Sequence, residues 1–173
     1  MSNYLFKPYN KIFPELFEKE KERLAKYLSG NYKIEHCGST AVPSLGGKGT
    51  IDIFIVTSKK DLGRISQEII SAGYEYRPRG TKITGHPFYR LELPDPVENT
   101  RRYHIHLNDS EADDFKQAIT FRDYLRNHPK EAKEYAKIKE KAVNEGKQDV
   151  FSYMDAKRTI IQEILEKALG KLA

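Results

Sequence analysis

The run from Thr50 to Val56 constrains this chain more than any other stretch. Ile51, Ile53 and Ile55 recur with a period of two, so they share one face of a β-strand, and Asp52 and Phe54 share the other. Such a strand must bury its isoleucine face against other elements of a layered domain. The carboxylate has to look elsewhere, because an ionised group left unpaired among apolar side chains costs several kcal/mol, of the order of a ~3–5 kcal/mol buried-charge penalty. A sheet is therefore expected, with polar chemistry on its Asp52 face.

The same reading extends along the chain. Residues 13–28 space Phe13, Leu16, Phe17, Leu24, Tyr27 and Leu28 as an amphipathic helix does, with Pro14 tolerated in its first turn. Ser29-Gly30-Asn31 breaks that pattern, Tyr32 to Cys37 reads as a short strand, and Gly38-Ser39-Thr40 as a turn. Helical spacing returns over residues 59–72 and stops at Gly73. The Pro/Gly/Arg stretch from Arg77 to Pro87 reads as a loop or hairpin connection. Phe88 to Leu93 and Tyr103 to Leu107 alternate as strands around a Pro94-Asp95-Pro96 turn. From Glu111 onward the pattern is helical, with breaks near Pro129 and Gly146. Phe115, Ile119, Phe121, Tyr124, Leu125, Ile160, Ile161, Ile164 and Leu165 need cover, so this tail is expected to pack against the sheet. At 173 residues the expectation is one domain over residues 1–173, of α/β (α+β) class. It has a mixed sheet with helices mainly on one face and a C-terminal helical tail.

Composition narrows the setting. No run approaches the roughly 18–20 apolar residues of a membrane span, and the N-terminal residues lack a basic segment followed by an apolar stretch. A cytoplasmic location without membrane contact is the expectation. Cys37 is the only cysteine, which excludes an intrachain disulfide and zinc sites built on several thiolates, and it reads as a small core hydrophobe. The formal net charge is +5, with the excess around Arg77, Arg79, Lys82, Arg90, Arg101 and Arg102. That balance favours anionic ligands, is too mild to demand nucleic acid, and does not exclude it.

The chemistry-bearing segment runs from Ile34 to Ile53. Backbone N–H groups at a helical turn after Gly38, with the Ser39 and Thr40 hydroxyls, form a cradle suited to phosphate. Lys48 either neutralises that phosphate or pairs with Asp52. Parity on the later strands sends Tyr103, Ile105 and Leu107 inward with Tyr89, Leu91 and Leu93, and leaves His104, His106, Arg90 and Glu92 on the opposite face. If these strands share one sheet, Asp52, Arg90, Glu92, His104 and His106 gather. A carboxylate with two imidazoles suits a metal such as Zn or Mn, Asp52 with Glu92 suits Mg, and the same groups suit acid/base work. The plainer reading makes these histidines ordinary polar residues and has Glu35 and His36 brace the turn. The arginines of Phe121-Arg122-Asp123-Tyr124-Leu125-Arg126 point either to the site or to water. The charged stretch 130–147 reads as a solvated helix face.

The phrase Glu35-His36-x-Gly-Ser-Thr-x-Val-Pro, followed by Lys48 and Ile51-Asp52-Ile53, closely resembles the GrpB family, as do His104-x-His106 and the Phe121–Arg126 segment. That family is similar to the polymerase-β-type nucleotidyltransferases, whose pattern is Gly-Ser at a helix start and then Asp-x-Asp on the next strand. The resemblance implies a nucleotidyltransferase-like fold and a divalent metal (Mg, Mn or Zn) held by Asp52 with Glu92, His104 or His106. It also implies a nucleotide or other phosphorylated small molecule as partner. Metal-dependent nucleotidyl or phosphoryl transfer would then use Asp52, Lys48 and Arg90, with Gly38, Ser39 and Thr40 on the phosphate. Phe54 stands where the second carboxylate belongs and cannot bind metal. Ser44 and Gly49 replace the family's more usual glycine and proline. The alternative is accordingly a non-catalytic nucleotide-binding or sensing module.

Overall fold

The computed structural model describes residues 6–144 and 150–170. Its centre is a five-stranded sheet in the order β1-β2-β5-β4-β3, formed by β1 (Tyr32–Cys37), β2 (Ile51–Thr57), β3 (Glu75–Tyr76), β4 (Phe88–Asp95) and β5 (Asn99–Asp109). β2 and β5 are parallel and the other neighbours antiparallel. The register sets Asp52 beside His104, and His104 beside Arg90. Three strands therefore bring their polar residues to one line across one face.

The opposite face is the main core. Ile51, Ile53, Ile55, Ile105 and Leu107 are fully buried there under α1 (Phe13–Leu24) and α2 (Leu62–Ser71). Phe13, Leu16, Phe17 and Leu24 come from the first helix, Ile65 and Ile69 from the second. Each such side chain stabilises the fold by roughly 1.5–3 kcal/mol. Pro14 sits in the first turn of α1, where its missing N–H would have no intrahelical partner anyway. Cys37 is buried, and desolvation pushes its thiol up to about 12, so it behaves as a small hydrophobe.

The tail forms α4 (Asp113–Asn127), α5 (Pro129–Asn144) and α6 (Val150–Ala168). The break expected near Gly146 lies outside the described residues. These helices build a second core, in which Leu125, Ala132, Tyr135 and Ile164 close over Val42 and Leu45 from the β1–β2 connection. Contact with the sheet comes through Phe115, whose ring lies 5.8 Å from that of Phe54. The Asp52 face is thus roofed by the tail rather than open. No described helix is long and apolar enough to cross a membrane.

Two local expectations change. The stretch from Arg77 to Pro87 is not only loop, since it contains α3 (Pro78–Thr84), opened by proline in its first turn and closed by left-handed Gly85 at φ +81°. The β4–β5 hairpin is longer than its alternating residues suggest, because Asp95 accepts bonds from the N–H groups of Val97 and Glu98 and locks the turn. Asp95 also holds Arg101, which is 2% exposed and donates at 2.7 Å to the Gly49 carbonyl. The loop carrying Lys48 is further pinned by Lys7, whose backbone pairs with that of Gly47 in both directions.

Candidate anion-binding cleft

Asp52 lies where the turn after β1 meets β2. Gly38 has φ +70° and ψ −171°, a conformation essentially reserved for glycine, and a Cβ built there would come within 3.0 Å of the Asp52 Cγ. The bare glycine lets the carboxylate lie against the turn. His104 Nδ1 is 3.2 Å from Asp52 Oδ1, and His106 Nε2 is 4.0 Å from the same oxygen. Burial alone would raise the Asp52 carboxyl, but the His104 hydrogen bond, helped by the electrostatic pull of the basic side chains around it, Lys48 among them, outweighs that and holds the carboxyl below its ordinary range.

Behind Asp52 the imidazoles continue. His106 Nδ1 and His86 Nε2 are 2.8 Å apart, and His86 Nδ1 lies against the Asp114 carboxylate. Burial pushes His106 down to about 3 and lowers His86 as well, so both rings are neutral near pH 7. The arrangement that satisfies both nitrogens of His86 has its Nδ1–H donating to Asp114 and its Nε2 accepting from His106. His106 Nε2 then faces Asp52 as an acceptor. Phe54 stacks on His106 with centroids 4.7 Å apart and packs against His86, so the residue in the second carboxylate position supports this histidine pair.

In front of Asp52 is a cleft of about 190 Å³, lined by the Gly38–Ser39 turn, Thr50, His104, Phe121, Tyr135 and three lysines. Lys48 comes from the β1–β2 connection, Lys139 from α5 and Lys157 from α6. Lys139 is only 3% exposed, donates to the Gly46 carbonyl and lies over the Tyr135 ring. Desolvation lowers Lys48 and Lys139 to about 7 each and Lys157 to about 8; the charge of Lys157 adds to the lowering of the other two, while Asp52 opposes it. Three cations therefore crowd around one carboxylate.

The remaining expected site residues divide. Ser39 lines the cleft, but the turn it opens is a single 3-10 turn, Ser39–Ala41, rather than a helix start. The Thr40 hydroxyl points away, bonded to the His36 ring at 2.9 Å and donating to the Thr50 carbonyl. His36 stacks on Phe17 and falls to about 4 through burial, and Glu35 pairs with Arg122 at 2.8 Å. Arg122 also donates to the His36 carbonyl and Arg126 to that of Ala41, so both arginines clamp the turn from behind. Arg90 and Glu92 share the Asp52 face but pair with each other, and Glu92 is held by Arg102 too. Glu92 does not join Asp52. Among the described residues no three His, Cys, Asp or Glu side chains are grouped to hold a metal ion. Of the expected set, Asp52 and His104 line the cleft, His106 lies behind them against His86, and Glu92 pairs with Arg90 and Arg102.

Lys139, Lys157 and His86 were not singled out by sequence pattern, and Lys139 reverses an expectation. It belongs to the stretch read as a solvated face, yet it falls in register with the buried Ala132, Tyr135, Ala142 and Val143. A charge on the apolar stripe of an amphipathic helix was the available signal. Lys157 sits at the same spacing from Ile160, Ile161 and Ile164. His86 lies in an aperiodic stretch and left no comparable trace.

Comparison with known proteins gives a consistent picture. The GrpB protein family model matches residues 5–167. Glutamate-rich protein GrpB of Alkalihalophilus pseudofirmus is 32% identical over 155 residues, covering 88% of this chain and 88% of that protein. The crystal structure of GrpB from Enterococcus faecalis matches with a TM-score of 0.79 at 28% identity, over 96% of this chain and 98% of that one. The Cid1 poly(U) polymerase structure shares the nucleotidyltransferase-like fold, with a TM-score of 0.51 at 15% identity over 78% of this chain and 40% of that one.

Proposed function

The chain belongs to the GrpB family, and on that premise we propose that its cleft binds the phosphate chain of a nucleotide or other phosphorylated small molecule. The observation that carries this reading is the convergence of Lys48, Lys139 and Lys157, from three separate elements, on a space whose lining carboxylate among the described residues is Asp52. Two of these lysines are depressed to about 7 and the third to about 8, so the unliganded cleft holds its positive charge at a cost that an anion removes. Each lysine–phosphate contact is a charge-assisted hydrogen bond of about 1.5–3 kcal/mol. The loop bearing Lys48 is pinned by Lys7, Arg101 and Lys139 before any ligand arrives, which limits the ordering cost of binding. Lysines take here the neutralising role that two metal ions take when a second carboxylate is present.

A second reading, transfer of a nucleotidyl or phosphoryl group, is favoured by the Asp52–His104 hydrogen bond at the cleft floor. In that reading an acceptor hydroxyl gives its proton to the Asp52–His104 pair while its oxygen forms the new O–P bond. The departing phosphate keeps the electron pair of the broken P–O bond, and the lysines offset its charge.

Thermal unfolding with tripolyphosphate and with each nucleoside triphosphate tests the binding reading. Ligand at a hundred times its Kd stabilises by about 2.7 kcal/mol, which for a domain of this size is a rise of roughly 5–10 °C. Lys139→Met should weaken binding roughly ten- to hundredfold. No stabilisation of the wild-type protein by any of these phosphates at millimolar concentration would overturn the reading. Label transfer to an acceptor, lost in Asp52→Asn, would establish the second.

A further inference from the structure

A second hollow, of about 300 Å³, adjoins the cleft and shares Lys48 and His104 with it. Its other cations are Arg77, Arg79, Arg90 and Arg102, and its apolar surface is Phe88 and Ile83. Phe88 lies edge-on to His104 at 4.8 Å between centroids, so both rings line this hollow and the imidazole bonded to Asp52 forms part of its wall. The wall opposite is α3, which approaches the Phe88 ring because Gly80 has no side chain: a Cβ there would come within 2.9 Å of the Phe88 Cγ. Glu92 serves both Arg90 and Arg102, and Glu75 pairs with Arg77 at 2.9 Å. Ile83 is 38% exposed and Phe88 half-buried, which leaves apolar surface in a hollow also lined by four arginines.

We propose that this hollow is a second anion site, which takes a small phosphomonoester carrying a planar or apolar organic group and presents it beside Asp52. The proposal rests on the phosphate-binding reading of the neighbouring cleft, and identifies the chemistry of the molecule that would sit next to that phosphate chain. Guanidinium groups grip a terminal phosphate with paired N–H donors, while Phe88 stacks the organic portion. Two anions would then meet on either side of His104, one held mainly by lysines and the other by arginines, with Lys48 between them. A small molecule is favoured over a nucleic-acid strand because the hollow is small, about 300 Å³, and carries Glu75 and Glu92 at its arginines, where a phosphate backbone would be repelled.

Calorimetric titration of the whole protein with phenyl phosphate, phenol and inorganic phosphate, with and without saturating tripolyphosphate, tests this. Phenyl phosphate should bind at least tenfold more tightly than phenol or inorganic phosphate, and should still bind when tripolyphosphate fills the cleft. The double variant Arg79→Ala/Arg102→Ala should lose phenyl phosphate affinity at least tenfold while keeping wild-type tripolyphosphate affinity, which also shows that it is folded. Lys139→Met should show the reverse pattern. Tripolyphosphate binding without phenyl phosphate binding, full displacement of one by the other, or indifference to the arginine substitutions would overturn the second site alone. Failure of both ligands would overturn the cleft reading with it. Arginine-dependent binding of a single-stranded oligonucleotide tenfold tighter than phenyl phosphate would assign the hollow to nucleic acid instead.

Discussion

Substituting Gly38 by alanine exposes how closely the turn and Asp52 depend on each other. Two costs are separable in the structure. The backbone at φ +70° and ψ −171° is strained for any residue with a Cβ, by about 1–3 kcal/mol. The new methyl would also stand within 3.0 Å of the Asp52 Cγ and closer still to Oδ2, an overpacking worth about 1–3 kcal/mol more. Asp52→Ala removes those carboxylate atoms and leaves the Cβ of residue 52 at 3.1 Å, so the backbone cost and a smaller, tight Cβ contact should persist in the double variant. Urea unfolding of the wild type, both single variants and the double variant should give Gly38→Ala a loss of about 2–6 kcal/mol and a favourable coupling of about 1–3 kcal/mol. Additivity within about 0.5 kcal/mol would refute the claim that the glycine exists to admit the carboxylate. A total cost below about 1 kcal/mol would refute the strain argument too.

Other outcomes follow from named contacts. Arg101→Ala leaves Asp95 buried without its cation and frees the Gly49 carbonyl, so chemical unfolding should show a loss of about 3–5 kcal/mol. The lysines supply a pH dependence: their folded-state values lie near 7 and 8 against about 10.4 in the unfolded chain, so the unfolded chain binds more protons in that interval and stability rises with pH across it. Between pH 7 and 9 the unliganded wild type should gain about 1–2 kcal/mol relative to Lys139→Met, measured by urea unfolding at each pH. Because no three donor side chains among the described residues are grouped for a metal, tripolyphosphate affinity measured by calorimetry in EDTA should stay within about threefold of its value in Mg²⁺.

Much of the sheet was legible before the structure, and the reason is geometric. A period of two assigns faces without knowledge of the partner strand, so Ile51, Ile53 and Ile55 went inward and Asp52, His104 and His106 met on the other side. What the period does not specify is reach. Arg90 and Glu92 share that face, yet side chains long enough to find each other do so, and Glu92 is taken by two arginines instead of joining Asp52. Thr40 stands next to Ser39 in sequence, but successive side chains on a 3-10 turn diverge, which sent its hydroxyl to His36 and Thr50. The helix Pro78–Thr84 had its punctuation in view, proline just inside the start and glycine just past the end, although Pro, Gly and Arg together suggested a loop. The cleft's cations were hardest, since Lys139 and Lys157 reach Asp52 only through the packing of the tail over the β1–β2 connection. Their position on apolar helix stripes was visible; what that stripe would face was not.

The most direct test of the central claim is a pH titration of protein labelled with ¹³C at the lysine ε-carbons, followed by NMR with and without tripolyphosphate. Free protein should show Lys48 and Lys139 titrating at about 7 and Lys157 at about 8, identified by Lys→Met substitution, apart from the remaining lysines near roughly 10.4. Saturating tripolyphosphate should move all three upward by about two units or more, because each cation gains a phosphate partner. Three low-titrating lysines that ignore the ligand would contradict the account, as would a spectrum in which every lysine titrates near its ordinary value.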